Sequence, residues 1–268
     1  MAVATTAFAT DYPGHPGFVG KTVYLDDQGF PVGEPGQNPS DFKFAHCFEY
    51  GYIPGEEMPV AILLKTQYEA ENGLFQLPTF YSVWDEDLQK TIWIKIIGIS
   101  ADQLFWPANL ANLVTQVEMP MYLEFIVGNG ALSFPNITSL TLPETLEYMD
   151  VKALNKCTNL TDLTITDSDK PLNILGTQSN NYGSLGAFGV PALVNAYVGK
   201  TVIADESPFK RTGDPSLKHV TMGGVGQAIY DKMFYGQKEL ETAILKEGVG
   251  DIGKEAFAIC VLVVSVPK

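Results

Sequence analysis

The amino-acid sequence predicts a solenoid of stacked repeats that is preceded by a small β-rich region. The first observation is a pattern of apolar residues that recurs every 23 residues in the second half of the 268-residue chain. The second is the different character of residues 1–90, where Pro/Gly-rich loops separate short strand-like runs. Self-similarity at a fixed period of roughly 20–50 residues indicates stacked units. It favours a surface that binds over a pocket that catalyses.

The repeat is clearest in the last two complete units. Its leading apolar residue recurs as Leu217, Leu240 and Val263, and the template also fits blocks that start at Val114 and Ile137. Burying about six apolar side chains contributes ~12 kcal/mol per unit, whereas fixing the backbone of one unit costs about 25–45 kcal/mol. One unit therefore cannot fold alone, and several units must share a continuous core.

The chain divides into a β-rich N-terminal or capping domain over residues 1–90 and a solenoid over 91–268. The solenoid starts with an irregular leading coil over 91–113. Ten extra residues precede Leu193, and they indicate an insertion loop at about 176–187. A solenoid needs a cap on its end coil, so we expect the N-terminal domain to cover the first coil.

Composition and charge exclude several classes of protein. The formal net charge of −14 argues against nucleic acid or an anionic membrane as the main partner, because binding to phosphates depends on Lys and Arg. No stretch approaches the roughly 18 apolar residues of a membrane span, so we expect no membrane insertion. The N-terminal segment has no basic residue and no long apolar run, and as written it is not a signal peptide. Three cysteines exclude a dense disulfide framework.

Motifs that suggest catalysis or cofactor binding are weak. The two Gly-Lys-Thr segments, at 20–22 and 199–201, lack the glycine that a phosphate-binding loop requires five residues earlier. His46 and Cys47 are adjacent, and adjacent residues on a strand point to opposite faces. Asp167-Ser168-Asp169 could contact Ca²⁺, but a solvated turn is the favoured interpretation. We expect no catalytic residues, no cofactor and no bound metal.

The strand positions of the repeat predict one binding surface. If the apolar residues at offsets three and five of each coil point inward, those at offsets two and four point outward on an exposed sheet. The predicted ligand-facing residues, which we call the ladder face, are Ser139, Thr141, Asp162, Thr164, Asn195, Tyr197, His219, Thr221 and Thr242. Adaptable hydrogen-bonding groups around one aromatic side chain suit recognition of a protein or a glycan. A merely solvated sheet face is an equal alternative.

The C-terminal segment begins a new coil and stops after its strand. An exposed apolar edge strand pairs readily with another chain. We therefore predict an oligomer or partner edge, covered by a second copy or by another component of an assembly, at Val261, Val263, Val264 and Val266.

The spacing L-x-x-[VLA]-x-[LIM] that opens each unit is that of a leucine-rich repeat. The blocks 137–160 and 240–262 go further, and the second contains Ile252-Gly-Lys-Glu-Ala-Phe257. Over about residues 114–268 the chain resembles the BspA-like leucine-rich repeat family, whereas residues 1–90 lie outside the resemblance. The resemblance implies a parallel strand and a short helix around the Ala-Phe pair in each coil, so the expected fold class is α+β. It also implies adhesion or protein recognition at a bacterial surface or outside the cell.

The leading interpretation is a non-enzymatic interaction or adhesion protein that forms part of an assembly or of a cell surface. Its partner would be a protein, either a second copy or another component, with a glycan as the second option. An alternative is a phage virion component or receptor-binding protein, which the lack of an evident signal peptide favours. A weaker alternative is an enzyme with its site in residues 1–90, which clustered carboxylates or His46 in a closed cleft would support.

Overall fold

The computed structural model describes residues 9–32, 44–176, 186–211, 216–223, 226–261 and 263–265. Strands dominate these ranges, in which helical structure is limited to two 3-10 segments, Glu71–Gly73 and Ala108–Leu113. The strands of the N-terminal part are β1 (Ala9–Tyr12), β2 (His15–Val19), β3 (Lys21–Leu25), β4 (Pro31–Val32), β5 (His46–Gly51), β6 (Val60–Thr66), β7 (Leu74–Gln76), β8 (Phe80–Asp85) and β9 (Lys90–Ser100). Those of the repeats are β10 (Gln116–Glu118), β11 (Phe125–Val127), β12 (Ser139–Leu142), β13 (Tyr148–Asp150), β14 (Asp162–Ile165), β15 (Leu172–Leu175), β16 (Asn195–Val198), β17 (Val202–Ile203), β18 (His219–Met222), β19 (Thr242–Leu245) and β20 (Val263–Ser265).

A six-stranded parallel sheet, which we call the front sheet, takes one strand from each of six successive coils. Its order is β12-β14-β16-β18-β19-β20. Successive residues of a strand point to opposite faces, so Ser139 and Thr141 of β12 are exposed while Leu140 and Leu142 are buried. The predicted stack of parallel strands, one for each repeat, is confirmed.

The insertion before Leu193 does not interrupt the front sheet, because β14 pairs directly with β16. The position of the ten extra residues in a loop stays a prediction. Of the predicted loop at 176–187, residues 177–185 lie outside the described ranges.

A second sheet joins the repeats to the N-terminal region. The coils contribute β11, β13, β15 and β17 to it, as parallel neighbours in that order. The strand β9 pairs with β8 over Lys90–Lys95 and with β11 over Gly98–Ser100, and it also pairs with β6. The sheet continues through β5 and β3 to β4, which gives ten strands in all. This sheet runs through residue 90 without a break. The division of the chain there into two domains stays a prediction.

The N-terminal region packs directly on the first coil. The strand β7 pairs in parallel with β10. Beneath this pair, the ring of Phe75 lies 5.1 Å from that of Phe105 and 5.8 Å from that of Phe134. All three side chains are buried in an apolar core that extends through the repeats.

The short helices expected around the Ala-Phe pairs are wrong for the described coils, which have consecutive turns there. The reason is that every second backbone N–H group bonds to the next coil, while those between them bond three residues back within the same coil. The N–H of Phe234 donates to the carbonyl of Ala256 (2.8 Å), and that of Lys232 donates to Lys254 (3.0 Å). In addition, Lys232 and Glu255 both have a φ of 57°, a left-handed conformation that ends a right-handed helix.

Phenylalanine rings stack along the turn side of the later coils. The rings of Phe209 and Phe234 are 5.0 Å apart, and those of Phe234 and Phe257 are 5.2 Å apart. Phe188 extends the row at 5.2 Å from Phe209. Each ring covers the one in the coil below, so the row supplies contacts between neighbouring coils rather than within one.

The last coil is two residues shorter than the 23-residue period requires. The period places Val263 opposite Leu240 and Val266 opposite Ala243, whereas in the structure Val264 pairs with Ala243. The shortening follows the turn that ends near Cys260, where the chain passes into β20 without the further residues that precede Leu240.

Candidate ligand-binding sheet face

The strand register places all nine predicted ladder-face residues on one side of the front sheet. The first row across the sheet comprises Ser139, Asp162, Asn195, His219 and Thr242. The second row comprises Thr141, Thr164, Tyr197, Thr221 and Ile244. Their side chains are exposed or half-buried. The predicted arrangement is therefore present, and the role of these residues in binding stays a prediction.

Four of the five side chains of the first row are held in two hydrogen-bonded pairs. The Asn195 amide donates to Asp162 Oδ1 (2.8 Å), and His219 Nδ1 lies 2.9 Å from Thr242 Oγ1. Asp162 Oδ2 also accepts from the Thr161 hydroxyl (2.6 Å). These contacts fix the positions of the polar groups before any ligand arrives, which lowers the entropic cost of binding.

Tyr197 is the aromatic residue at the middle of the second row, and two charged side chains hold it. Its hydroxyl donates to Asp167 Oδ1 (2.7 Å) and accepts from Lys246 Nζ (3.1 Å). The ammonium of Lys246 also lies 4.5 Å from the centre of the ring, within the range of a cation–π interaction. Burial and then the hydrogen bond to Asp167 raise the pKa of Tyr197, against the opposing effect of Lys246. The hydroxyl therefore stays protonated and the ring is held in one place.

Glycines at the ends of two strands make room for this arrangement. A Cβ atom on Gly223 would lie 2.1 Å from the Tyr197 hydroxyl oxygen, and one on Gly199 would lie 2.5 Å from the Asp167 backbone nitrogen. Sequence reasoning missed Gly223 and Lys246. The signal that could have found them is the glycine that directly follows both β16 and β18, with Lys246 at the same position after β19.

Asp167 is thus a hydrogen-bond partner of Tyr197, and the alternative of a Ca²⁺ site over 167–169 gains no support. In the part of the chain that the structure describes, no group of three or more His, Cys, Asp or Glu side chains could hold a metal ion.

Lys200, in the second Gly-Lys-Thr segment, has a structural role. Its side chain is completely buried, and its Nζ donates to the carbonyl of Leu146 (2.9 Å) and to that of Glu144. Burial lowers the pKa of this amine to about 8. Lys21, in the first segment, is exposed and pairs with Asp87.

His46 lies inside an aromatic cluster of the N-terminal region. Its ring stacks on Tyr68 at 5.9 Å and meets Tyr81 edge-on at 5.5 Å, and its Nδ1 lies 3.1 Å from Thr66 Oγ1. Burial lowers its pKa to about 4. The ring is therefore a neutral core group at neutral pH, which gives no support to an enzyme site built on His46.

The predicted partner edge is described only in part. Val261 is 76% exposed. Val263 and Val264 belong to β20, which pairs with β19, and Val266 lies outside the described residues. Whether a second chain covers this edge stays a prediction.

The comparisons with known proteins identify the class of repeat. The sequence matches the BspA type Leucine rich repeat region in six copies, over residues 108–195 and 205–266, which is more than half of the chain. The chain therefore belongs to the BspA-type leucine-rich repeat family. No curated protein matches it. Among the described residues no helix is long and apolar enough to cross a membrane.

Three solved structures match this chain at low sequence identity and with TM-scores below 0.5. A leucine-rich repeat protein of T. pallidum is 16% identical, with a TM-score of 0.45, over 79% of this chain and 86% of that chain. The pneumococcal vaccine antigen PcpA is 15% identical, with a TM-score of 0.40, over 84% of this chain and 69% of that one. A leucine-rich repeat protein from Bacteroides ovatus is 15% identical, with a TM-score of 0.19, over 83% and 81% of the two chains. None of these findings supports the virion alternative.

Proposed function

We propose that this chain is a non-enzymatic protein-binding scaffold of the bacterial surface, and that its ladder face binds the partner. The observation that carries the proposal is the fixed position of Tyr197 between Asp167 and Lys246, at the centre of two rows of small polar side chains. Membership of a leucine-rich repeat family supports it, since solenoids of this kind present extended binding surfaces.

The geometry suits recognition more than chemistry. A tyrosine that is already held in its bound position loses little conformational entropy on binding. The threonines around it, Thr164 and Thr221, offer hydroxyl groups that both donate and accept hydrogen bonds. Tyrosines at the centre of an interface are among the residues that contribute most to its binding energy.

The test is a comparison of two tyrosine variants. The wild-type chain and its Tyr197→Ala and Tyr235→Ala variants are immobilised, and proteins captured from a cell-surface extract are quantified. Tyr235 is exposed but lies in a turn away from the ladder face, so its replacement is the matched control. We expect Tyr197→Ala to weaken capture by about tenfold or more, with Tyr235→Ala unchanged.

A second variant checks the arrangement without deleting the ring. Gly223→Ala forces a methyl group against the Tyr197 hydroxyl, and it should reduce capture in the same direction. Capture that is unchanged in both ladder-face variants, or equally reduced by Tyr235→Ala, would contradict the proposal.

A further inference from the structure

The start of the solenoid leaves a groove that the ladder face does not include. In the regular coils the turn of one repeat covers the turn of the next, as where the Leu132 N–H donates to the carbonyl of Ala153 (3.0 Å). Before the first turn stands the irregular segment 101–113 instead, which ends in the 3-10 segment Ala108–Leu113. This segment does not fill the position of a turn, and a cavity of about 520 Å³ remains between it and the turns of the first two coils.

The chemistry of this groove is neutral and polar. Six of its lining residues carry amide or hydroxyl groups: Gln103, Asn109, Asn112, Ser133, Asn155 and Thr158. The lining contains a single charged side chain, Lys156, and no carboxylate, in a chain with 31 Asp and Glu residues. Asp102 is adjacent, but its Oδ1 accepts from the backbone N–H of Asn129 and the residue is not part of the lining. We call this site the amide groove.

The side chains of Ser133, Asn155 and Thr158 already donate hydrogen bonds within the fold, whereas two exposed amides of the groove are available to a ligand. Among the described residues, none hydrogen-bonds the side-chain amide of Asn109 or of Asn112, and both residues are exposed. The backbone carbonyl of Asn112 accepts from the Asn136 amide (2.7 Å), which fixes the chain at this point without using the Asn112 side chain. The exposed Ala108 and the half-buried Pro135 give the groove its apolar surface, above the buried side chains of Leu104 and Phe105.

We propose that the amide groove binds a short neutral oligosaccharide. A primary amide presents donors and an acceptor side by side, which matches the adjacent hydroxyl groups of a sugar ring. The apolar lining matches the C–H faces of the ring, and the volume lies within the roughly 300–1,000 Å³ of small-molecule sites. A strongly charged peptide is less well matched, because one lysine supplies little attraction. This site is separate from the ladder face, so the two proposals fail independently.

The test uses three defined neutral trisaccharides: maltotriose, cellotriose and chitotriose. Each is added at millimolar concentration to the full chain, and binding is followed by saturation-transfer NMR and then by calorimetry. We expect at least one to bind, and the double variant Asn109→Ala/Asn112→Ala to weaken that binding by about tenfold. Replacement of Tyr197 by Ala should leave it unchanged, which separates this site from the ladder face.

Two further variants keep the outcome decisive. Ala108 is exposed, so Ala108→Tyr should fill the groove without disturbing the core, and we expect it to abolish binding. It tests the proposal independently if the double variant does not fold. Lys156→Gln should change the affinity for a neutral sugar by less than about threefold, and a complete loss would contradict recognition by the amide groups. Failure of all three sugars to bind, binding that survives the double variant and Ala108→Tyr, or binding of a neutral Gly-Ser peptide in their place would overturn the proposal.

Discussion

Replacement of Lys200 by methionine tests how a buried lysine links three coils. The side chain starts just after β16 and reaches past the neighbouring coil to the carbonyls of Leu146 and Glu144. Methionine retains the apolar stem but leaves the buried carbonyl of Leu146 and the part-buried carbonyl of Glu144 without this donor. An unsatisfied buried acceptor costs about 1–3 kcal/mol. The carbonyl of Glu144 costs less because water can reach it, so the loss is ~1–4 kcal/mol.

An opposing effect makes this cost depend on pH. Burial lowers the pKa of Lys200 from 10.5 to about 8, which corresponds to a penalty of roughly 3 kcal/mol for the charged form in the folded state. Between about pH 8 and 10.5 the unfolded chain binds more protons at this site than the folded chain, so stability rises with pH across that window. The penalty is absent from Lys200→Met. The free energy of unfolding of the wild type minus that of Lys200→Met should therefore rise by ~3 kcal/mol between pH 7 and pH 10.5.

Urea unfolding followed by circular dichroism, near neutral pH and near pH 10, measures this difference. The matched control is Lys170→Met, because the Lys170 side chain is 61% exposed and its ion pair with Glu147 is at the surface. That variant should lose at most about 1 kcal/mol. A difference between wild type and Lys200→Met that is the same at both pH values, or that shrinks as pH rises, would refute the argument.

Two further predictions concern the core. Burial lowers the pKa of His46 to about 4, so the unfolded chain takes up its proton first and the wild type should lose up to ~3 kcal/mol of stability between pH 6.5 and pH 4. His46→Phe should lack this component in acid titrations of the urea midpoint, and an identical acid profile would argue against it. Phe234 is fully buried between two stacked rings, and Phe234→Ala should cost about 3–5 kcal/mol. Because Phe257 is only half-buried, Phe257→Ala should lower the free energy of unfolding distinctly less in the same thermal melts. Equal losses would show that enclosure between two rings does not determine the contribution to stability.

The period and the strand alternation predicted the front sheet because both follow from the spacing of apolar residues along the sequence. Leu140, Leu163, Ala196, Val220 and Ala243 recur at fixed offsets and pair in the expected register. The whole ladder face follows from that register alone.

The features that sequence reasoning missed depend on contacts between coils. Turns replace the expected helices because the N–H of Phe234 finds its acceptor in the next coil, and no local propensity reports this. The Tyr197 hydroxyl is hydrogen-bonded to Asp167 from the preceding coil and to Lys246 from two coils later. The parallel pairing of β9 with β11 likewise joins segments that no repeat pattern connects.

The position of β9 makes the two ends of the solenoid unequal. The first part of β9 pairs with β8, and its last three residues pair with β11, which is the first repeat strand of the ten-stranded sheet. Each later coil needs only the coil beneath it, as in any array with nearest-neighbour coupling. Coils can therefore be gained or lost at the far end in whole units, with the earlier ones still paired as before. The N-terminal region fixes where the array begins, and the number of repeats that follow sets how many strands the front sheet has.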